Sequence, residues 1–286
     1  MNTHPNPIVL VHGFWHGSWC WSPVTERLAR RGVPSLAVDC EGFGLHARSP
    51  EARWARPFAP AAYATAPSPV ADVTATSAAE VLVAQLRGLG RPSVVVAHSM
   101  GGVVATRAAE LAPELFEALV YVTAFAPVAG VPAGFYIGEP ENEGERITRL
   151  MAADPTVTGA LRIDPADPAR HPDIRDTFYH DVDPATADAA IALLSPDGPF
   201  GITTEAFEVT PERYGRVPHT YVVCTEDRGV PAALQRRMIR EIDAVALRPA
   251  TVVELPTSHS PFLSAPDALA DALTTVYRRS LSTTTA

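Results

Sequence analysis

The chain has 286 residues with a formal net charge of −9, 47% of them hydrophobic and 19% charged, a size and balance that suit one globular α/β unit carrying an insertion. The acidic balance leaves no basic stripe to offset phosphates, which argues against nucleic acid as a partner, and no run approaches the roughly 20 apolar residues of a membrane span. All 23 cationic side chains are arginine, which excludes lysine Schiff-base chemistry and a lysine general acid.

Residues 1–7 are polar and carry no basic-then-apolar leader pattern, so a cytoplasmic protein is expected. Residues 8–11 read as a short buried strand, 18–31 as a helix with Pro23 near its start, and 35–38 as a second strand. A long irregular stretch, 40–69, exceeds the usual connection in an α/β unit and reads as a functional loop or flap. Then come a helix over 76–89 and a strand at 94–96, where three valines in a row suit a strand covered on both faces. A helix over 103–111 and a strand over 118–122 follow. The region 128–216 lacks strand signals, holds helical pieces such as 146–153 and 185–194, and reads as an inserted cap. Its acidic run, Glu139, Glu141, Glu143 and Glu145, reads as a solvated loop. Sheet patterning resumes at 220–223, followed by a helix over 231–244, a last strand over 251–255 and a closing helix over 266–279, with 282–286 a frayed tail. Alternating strand and helix signals predict a mostly parallel sheet.

The sharpest chemical signal is the abrupt switch from strand to helix at Ala97-His98-Ser99-Met100-Gly101. Small residues stand two positions either side of Ser99, as a tight turn there requires. Such a turn lifts a hydroxyl out at the C-terminal edge of the sheet and aims a helix N-terminus at the reacting atom. Ser99 is therefore a candidate nucleophile, and a serine nucleophile needs a base and a group that orients the base. His259 lies just past the last strand, and Glu226 and Asp227 lie just past the strand before it. Backbone N–H donors for an oxyanion are expected from Met100 and from Phe14, with Gly13 allowing close approach. All these positions fall at C-terminal strand ends, where open α/β sheets place their ligands. Gly13, Trp15, Phe125 and Phe262 flank the motifs and are expected to touch substrate in an apolar, aromatic-lined pocket. No metal is expected: His12 and His16 stand four apart, but in a glycine-rich loop without an acidic partner. The scattered Cys20, Cys40 and Cys224 read as small core residues. There is no phosphate loop or dinucleotide fingerprint, so no cofactor is expected.

The stretch Ile8-Val9-Leu10-Val11-His12-Gly13, followed by His16-Gly17-Ser18-Trp19, resembles the opening of the plant methylesterase and hydroxynitrile lyase branch of the α/β hydrolases. Val223-Cys224-Thr225-Glu226-Asp227-Arg228-Gly229-Val230-Pro231 with Gln235-Arg236 is similar to the acid loop and helix of its methylesterases, and Thr123-Ala124-Phe125-Ala126-Pro127 to the segment leading into their cap. The likeness fades across 42–69 and much of the cap. It implies the α/β-hydrolase fold, a mostly parallel central sheet flanked by helices with a helical cap inserted before the acid-bearing strand: core over 1–127, cap over 128–216 and core again over 217–286. It also implies a triad of Ser99, Asp227 and His259, with Asp227 rather than Glu226 as the acid. Lyases of the branch carry Thr where Gly13 stands, which narrows the oxyanion hole, and Lys where Ser260 stands, which stabilises departing cyanide. Both departures favour an esterase.

The expectation is a cofactor-free serine carboxylic ester hydrolase acting on a small to medium apolar or aromatic ester, a methyl ester or lactone included, such as a secondary metabolite. Its partner is then a small-molecule ester, with neither nucleic acid nor membrane, and a homodimer is left open. The alternatives are a non-hydrolytic ligand-binding or biosynthetic protein on the same scaffold, carrying out cyclisation or acyl transfer, and, behind it, a hydroxynitrile lyase.

Overall fold

A computed structural model describes residues 6–283. Among them the strands, in chain order, are β1 (Ile8–Val11), β2 (Ser35–Val38), β3 (Ser93–His98), β4 (Phe116–Val122), β5 (Ala160–Arg162), β6 (Asp197–Pro199), β7 (His219–Cys224) and β8 (Thr251–Leu255). Six form a parallel sheet in the order β2-β1-β3-β4-β7-β8. Its central strands are apolar without alternation because both faces are covered. Val9, Val11, Val95 and Ala97 face one core, and Ile8, Leu10, Val94 and Val96 face the other. Helices Ser22–Arg30 and Pro266–Thr283 pack together over the second face, and helices Ala75–Gly88 and Gly101–Leu111 pack together over the first.

The helix expected over 18–31 is split. Ser18–Trp21 is a 3-10 turn and the α-helix begins at Ser22, since Pro23 has no N–H to give and belongs in a first turn. The closing helix runs to Thr283, past the expected end at 279. Of the expected frayed tail, 284–286 lie outside the described residues, as do 1–5 of the polar N-terminal stretch.

Between β4 and β7 the chain leaves the sheet. Here β5 and β6 form a small antiparallel ribbon, so the region is not free of strands. Three-residue strands reading Ala-Leu-Arg and Asp-Gly-Pro carry neither periodicity nor β-forming composition. Arg162, fully buried on the ribbon, donates to both carboxylate oxygens of Asp197 at 2.7 Å. It also donates to the carbonyls of Tyr63 and Ala66. The irregular stretch before residue 69 thereby joins the same layer: the Tyr63 hydroxyl donates to the Ile163 carbonyl at 2.9 Å and the Ser68 amide to the Thr158 carbonyl at 2.7 Å.

The piece 146–153 is not an α-helix but a single 3-10 turn, Thr148–Leu150. Its backbone is claimed elsewhere: the Arg146 amide donates to the Arg228 carbonyl and the Ala152 amide to the Arg162 carbonyl. Of the acidic run just before it, Glu143 is exposed as a solvated loop would have it, but the other three are tied down. Glu139 and Glu141 pair with Arg237 on helix Ala232–Val245, and Glu145 accepts from the Ile147 and Thr148 amides at 2.7 and 3.0 Å.

Candidate active site

The strand-to-helix turn after β3 holds Ser99 at φ 52°, a left-handed backbone that a serine adopts only under constraint. The constraint is visible in the backbone. The Ser99 amide donates to the Val122 carbonyl at the end of β4, and its carbonyl accepts from Gly102 and Phe125. Gly101 and Gly13 let three segments crowd this point. A Cβ on Gly101 would stand 2.3 Å from the His12 carbonyl oxygen, and one on Gly13 would stand 2.6 Å from the Ser99 Cβ.

The structure brings Ser99, His259 and Asp227 into one hydrogen-bonded chain. His259 Nε2 lies 3.0 Å from Ser99 Oγ, and His259 Nδ1 lies 2.7 Å from Asp227 Oδ2. A carboxylate only accepts, so Nδ1 carries the proton and Nε2 is left to accept from the serine hydroxyl. Asp227 Oδ1 accepts from the Gly229 and Val230 amides at 2.6 and 2.9 Å, and Oδ2 accepts from the Thr123 hydroxyl. Glu226, the other carboxylate considered, is exposed to solvent and takes no part.

The loop after β1 is held as firmly. His16 Nδ1–H donates to the Phe14 carbonyl at 2.8 Å, which leaves His16 Nε2 to accept from the Tyr179 hydroxyl at 2.8 Å. Trp15 sits at φ 62° with its indole N–H on the Leu161 carbonyl at 2.9 Å. His98, one residue before the serine, donates from Nε2 to the His259 carbonyl at 2.8 Å, its ring 4.6 Å from that of His259. Burial pushes His16 down to about 3 and, together with the neighbouring His259, pushes His98 well below the ordinary histidine value. Both rings are thus neutral props. Among the described residues, neither the Phe14 nor the Met100 amide donates to a backbone carbonyl.

A cavity of about 40 Å³ lies over Ser99, between the turn and the inserted region. Phe14, Trp15, Met100 and Phe125 line it from the sheet side, and Ile137, Asn142, Glu145, Ile147, Thr148 and Leu161 from the other. Trp15 and Phe125 are thus wall residues of the cavity. Gly13 stands beside Ser99 and serves the approach of the two loops rather than the cavity wall. Phe262 is not a wall residue: it is fully buried and packs edge-on against His98 at 4.9 Å and on Trp21 at 5.4 Å.

Residues not singled out as functional in the sequence surround the site. Thr123, at φ 39°, is the first residue after β4 and so emerges at the same sheet edge as Ser99, Asp227 and His259. That position is the one signal that could have found it. The His259 loop is braced by the inserted region, through Ser258, whose amide donates to Asp181 and whose hydroxyl donates to the Phe178 carbonyl. No grouping of His, Cys, Asp and Glu suited to a metal occurs among the described residues, and all three cysteines are free and buried.

A parallel sheet with a strained serine at a strand-to-helix turn, and an acid and a histidine after later strands, defines a hydrolase of the α/β class. The chain belongs to the alpha/beta hydrolase family, whose model matches residues 8–272. Among characterised proteins it is similar to Methylesterase 7 of Arabidopsis thaliana, 29% identical over 272 residues that cover 91% of this chain and 92% of that one. It is also 28% identical over 275 residues to a pyrethroid hydrolase of Sphingobium wenxiniae, covering 93% and 85%. A crystal structure of the pyrethroid hydrolase PytH superposes with a TM-score of 0.75 over 96% of this chain and 98% of that one, and at 22% identity it speaks for the fold. No helix among the described residues is long and apolar enough to cross a membrane.

Proposed function

We propose that the protein is a cofactor-free serine carboxylic ester hydrolase for small to medium apolar or aromatic esters, methyl esters and lactones among them. The observation that carries this reading is the Ser99–His259–Asp227 chain lying under an apolar cavity. The names and likeness of the relatives support ester hydrolysis in general. In the reaction, Ser99 Oγ attacks the acyl carbon as His259 Nε2 takes its proton, and Asp227 holds the imidazolium. The Phe14 and Met100 N–H groups stabilise the oxyanion, each worth about 3–4 kcal/mol in the transition state. His259 then protonates the leaving alcohol and activates the water that cleaves the acyl-enzyme.

Hydrolysis is favoured over cyanide lysis by Gly13 and Ser260. Any side chain at position 13 would press on Ser99, and Ser260 is fully buried and brings no cation. The cavity is far smaller than the roughly 300–1,000 Å³ of ordinary ligand pockets, so its walls must part to admit an ester. Three free, buried cysteines fit a cytoplasmic enzyme. Ser99→Ala is expected to lower kcat for p-nitrophenyl acetate by a factor on the order of 10⁶ with an unchanged melting curve. Retained turnover would remove Ser99 from the mechanism.

A further inference from the structure

One buried polar atom at the cavity has no partner among the described residues, and the reaction above does not use it. Asn142 ends the 3-10 turn Pro140–Asn142, is 5% exposed and lines the cavity. Its side-chain nitrogen donates to the Ile137 carbonyl at 3.1 Å. A carbonyl can only accept, so this bond fixes which end of the amide is nitrogen. The other end, Oδ1, is buried and has no hydrogen-bond partner among the described residues. The turn holds the residue in place, the Asn142 amide donating to Glu139 and its carbonyl accepting from Glu145.

The surroundings of Asn142 set what could satisfy it. Phe14, Trp15, Phe125, Ile137, Ile147 and Leu161 make most of the cavity apolar, where an unpaired acceptor is unfavourable and a donor arriving on a ligand relieves it. Glu145 also lines the cavity, but one of its oxygens is held by two backbone amides, and Arg146 follows it directly. Beyond it, Arg146, Arg149 and Arg228 all close on Asp176. Acidic and basic groups alternate there, so nothing in the local charge favours a cation over a neutral donor.

We propose that Asn142 Oδ1 accepts a hydrogen bond from the substrate, so that the enzyme selects esters carrying a hydroxyl over the same esters without it. The proposal rests on the reading of this cavity as the ester site. A site with a buried acceptor discriminates against an analogue that lacks the donor, because the acceptor then stays unpaired in the complex.

Binding of intact esters to Ser99→Ala by calorimetry tests it, with methyl phenylacetate as parent and methyl mandelate and the methyl 3- and 4-hydroxyphenylacetates as its hydroxylated forms. At least one hydroxylated ester is expected to bind about tenfold tighter than the parent, the ratio falling to within about twofold in Ser99→Ala/Asn142→Leu. Should the leucine variant not fold, Asn142→Ala is read the same way. The proposal is overturned if no hydroxylated ester binds tighter than the parent, if the preference survives loss of Asn142, or if methyl 4-(aminomethyl)phenylacetate binds tighter than every hydroxylated ester. Turnover of the same esters by the wild-type enzyme separates the two readings. Preference without hydrolysis contradicts the esterase, and hydrolysis without preference contradicts the role of Asn142.

Discussion

Thr123 is the residue that most changes how the acid of the site is understood. Asp227 Oδ2 serves His259 and Thr123 together, while Oδ1 is filled by two backbone amides. The carboxylate therefore cannot rotate without breaking several bonds, and the imidazole it carries stays aimed at Ser99. Thr123→Val keeps the shape and removes only the hydroxyl. A hydrogen bond to a charged group is worth roughly 1.5–3 kcal/mol, so kcat/KM for a p-nitrophenyl ester is expected to fall between about tenfold and a hundredfold, mainly through kcat. Steady-state kinetics showing less than a twofold change would make Thr123 a bystander. His98 acts on the other side of His259, through the backbone carbonyl, and being neutral it adds no positive charge as His259 takes its proton.

The inserted layer is a composite of two sequence regions, and its clasp is the Arg162–Asp197 pair. Both side chains are buried, and the guanidinium also holds the carbonyls of Tyr63 and Ala66. Removing one partner of such a pair leaves an uncompensated buried charge, a loss of about 3–5 kcal/mol. Asp197→Ala is expected to speed amide exchange in Pro60–Thr65 and Ala160–Arg162 while the amides of β3 keep their protection. Equal loss of protection in β3 would show that the layer and the sheet unfold as one. The clasp was not legible in the sequence. It joins residues 35 apart through strands of three residues, too short to carry a period. The sheet and its turn were legible because they depend on local patterning: three valines, then small residues about a serine. Asp227 needed the family resemblance to be preferred over Glu226, and only packing reveals why. Phe262 has the composition of a pocket residue, but the fold places it beneath His98 instead. Position in the chain cannot distinguish a wall from its support.

At the scale of the molecule, buried histidines set the acid limit. Burial holds His16 down to about 3 and His219 down to about 4, and lowers His12 and His98 as well. In the unfolded chain each titrates near 6.5. As pH falls below that value the unfolded state takes up protons that the folded state refuses, so this stability is complete above about pH 6.5 and lost below it. For His16 and His219 the loss is about 2 kcal/mol each at pH 5. Carboxylates such as Asp176, whose desolvation would raise it but is outweighed by Arg146, Arg149 and Arg228 together, add their own loss only at lower pH, as the unfolded carboxylates protonate. Urea unfolding followed from pH 7.5 to 5 should therefore show stability falling steeply, and a flat profile would place these rings in contact with water. The central claim, however, is chemical: one serine, lifted out of the sheet edge, becomes covalently acylated. Peptide mapping by mass spectrometry after treatment with a fluorophosphonate tests it most directly. The account predicts a single adduct per chain, on the peptide containing Ser99, with ester turnover lost in proportion. An adduct elsewhere, or turnover that survives full labelling of Ser99, would contradict it.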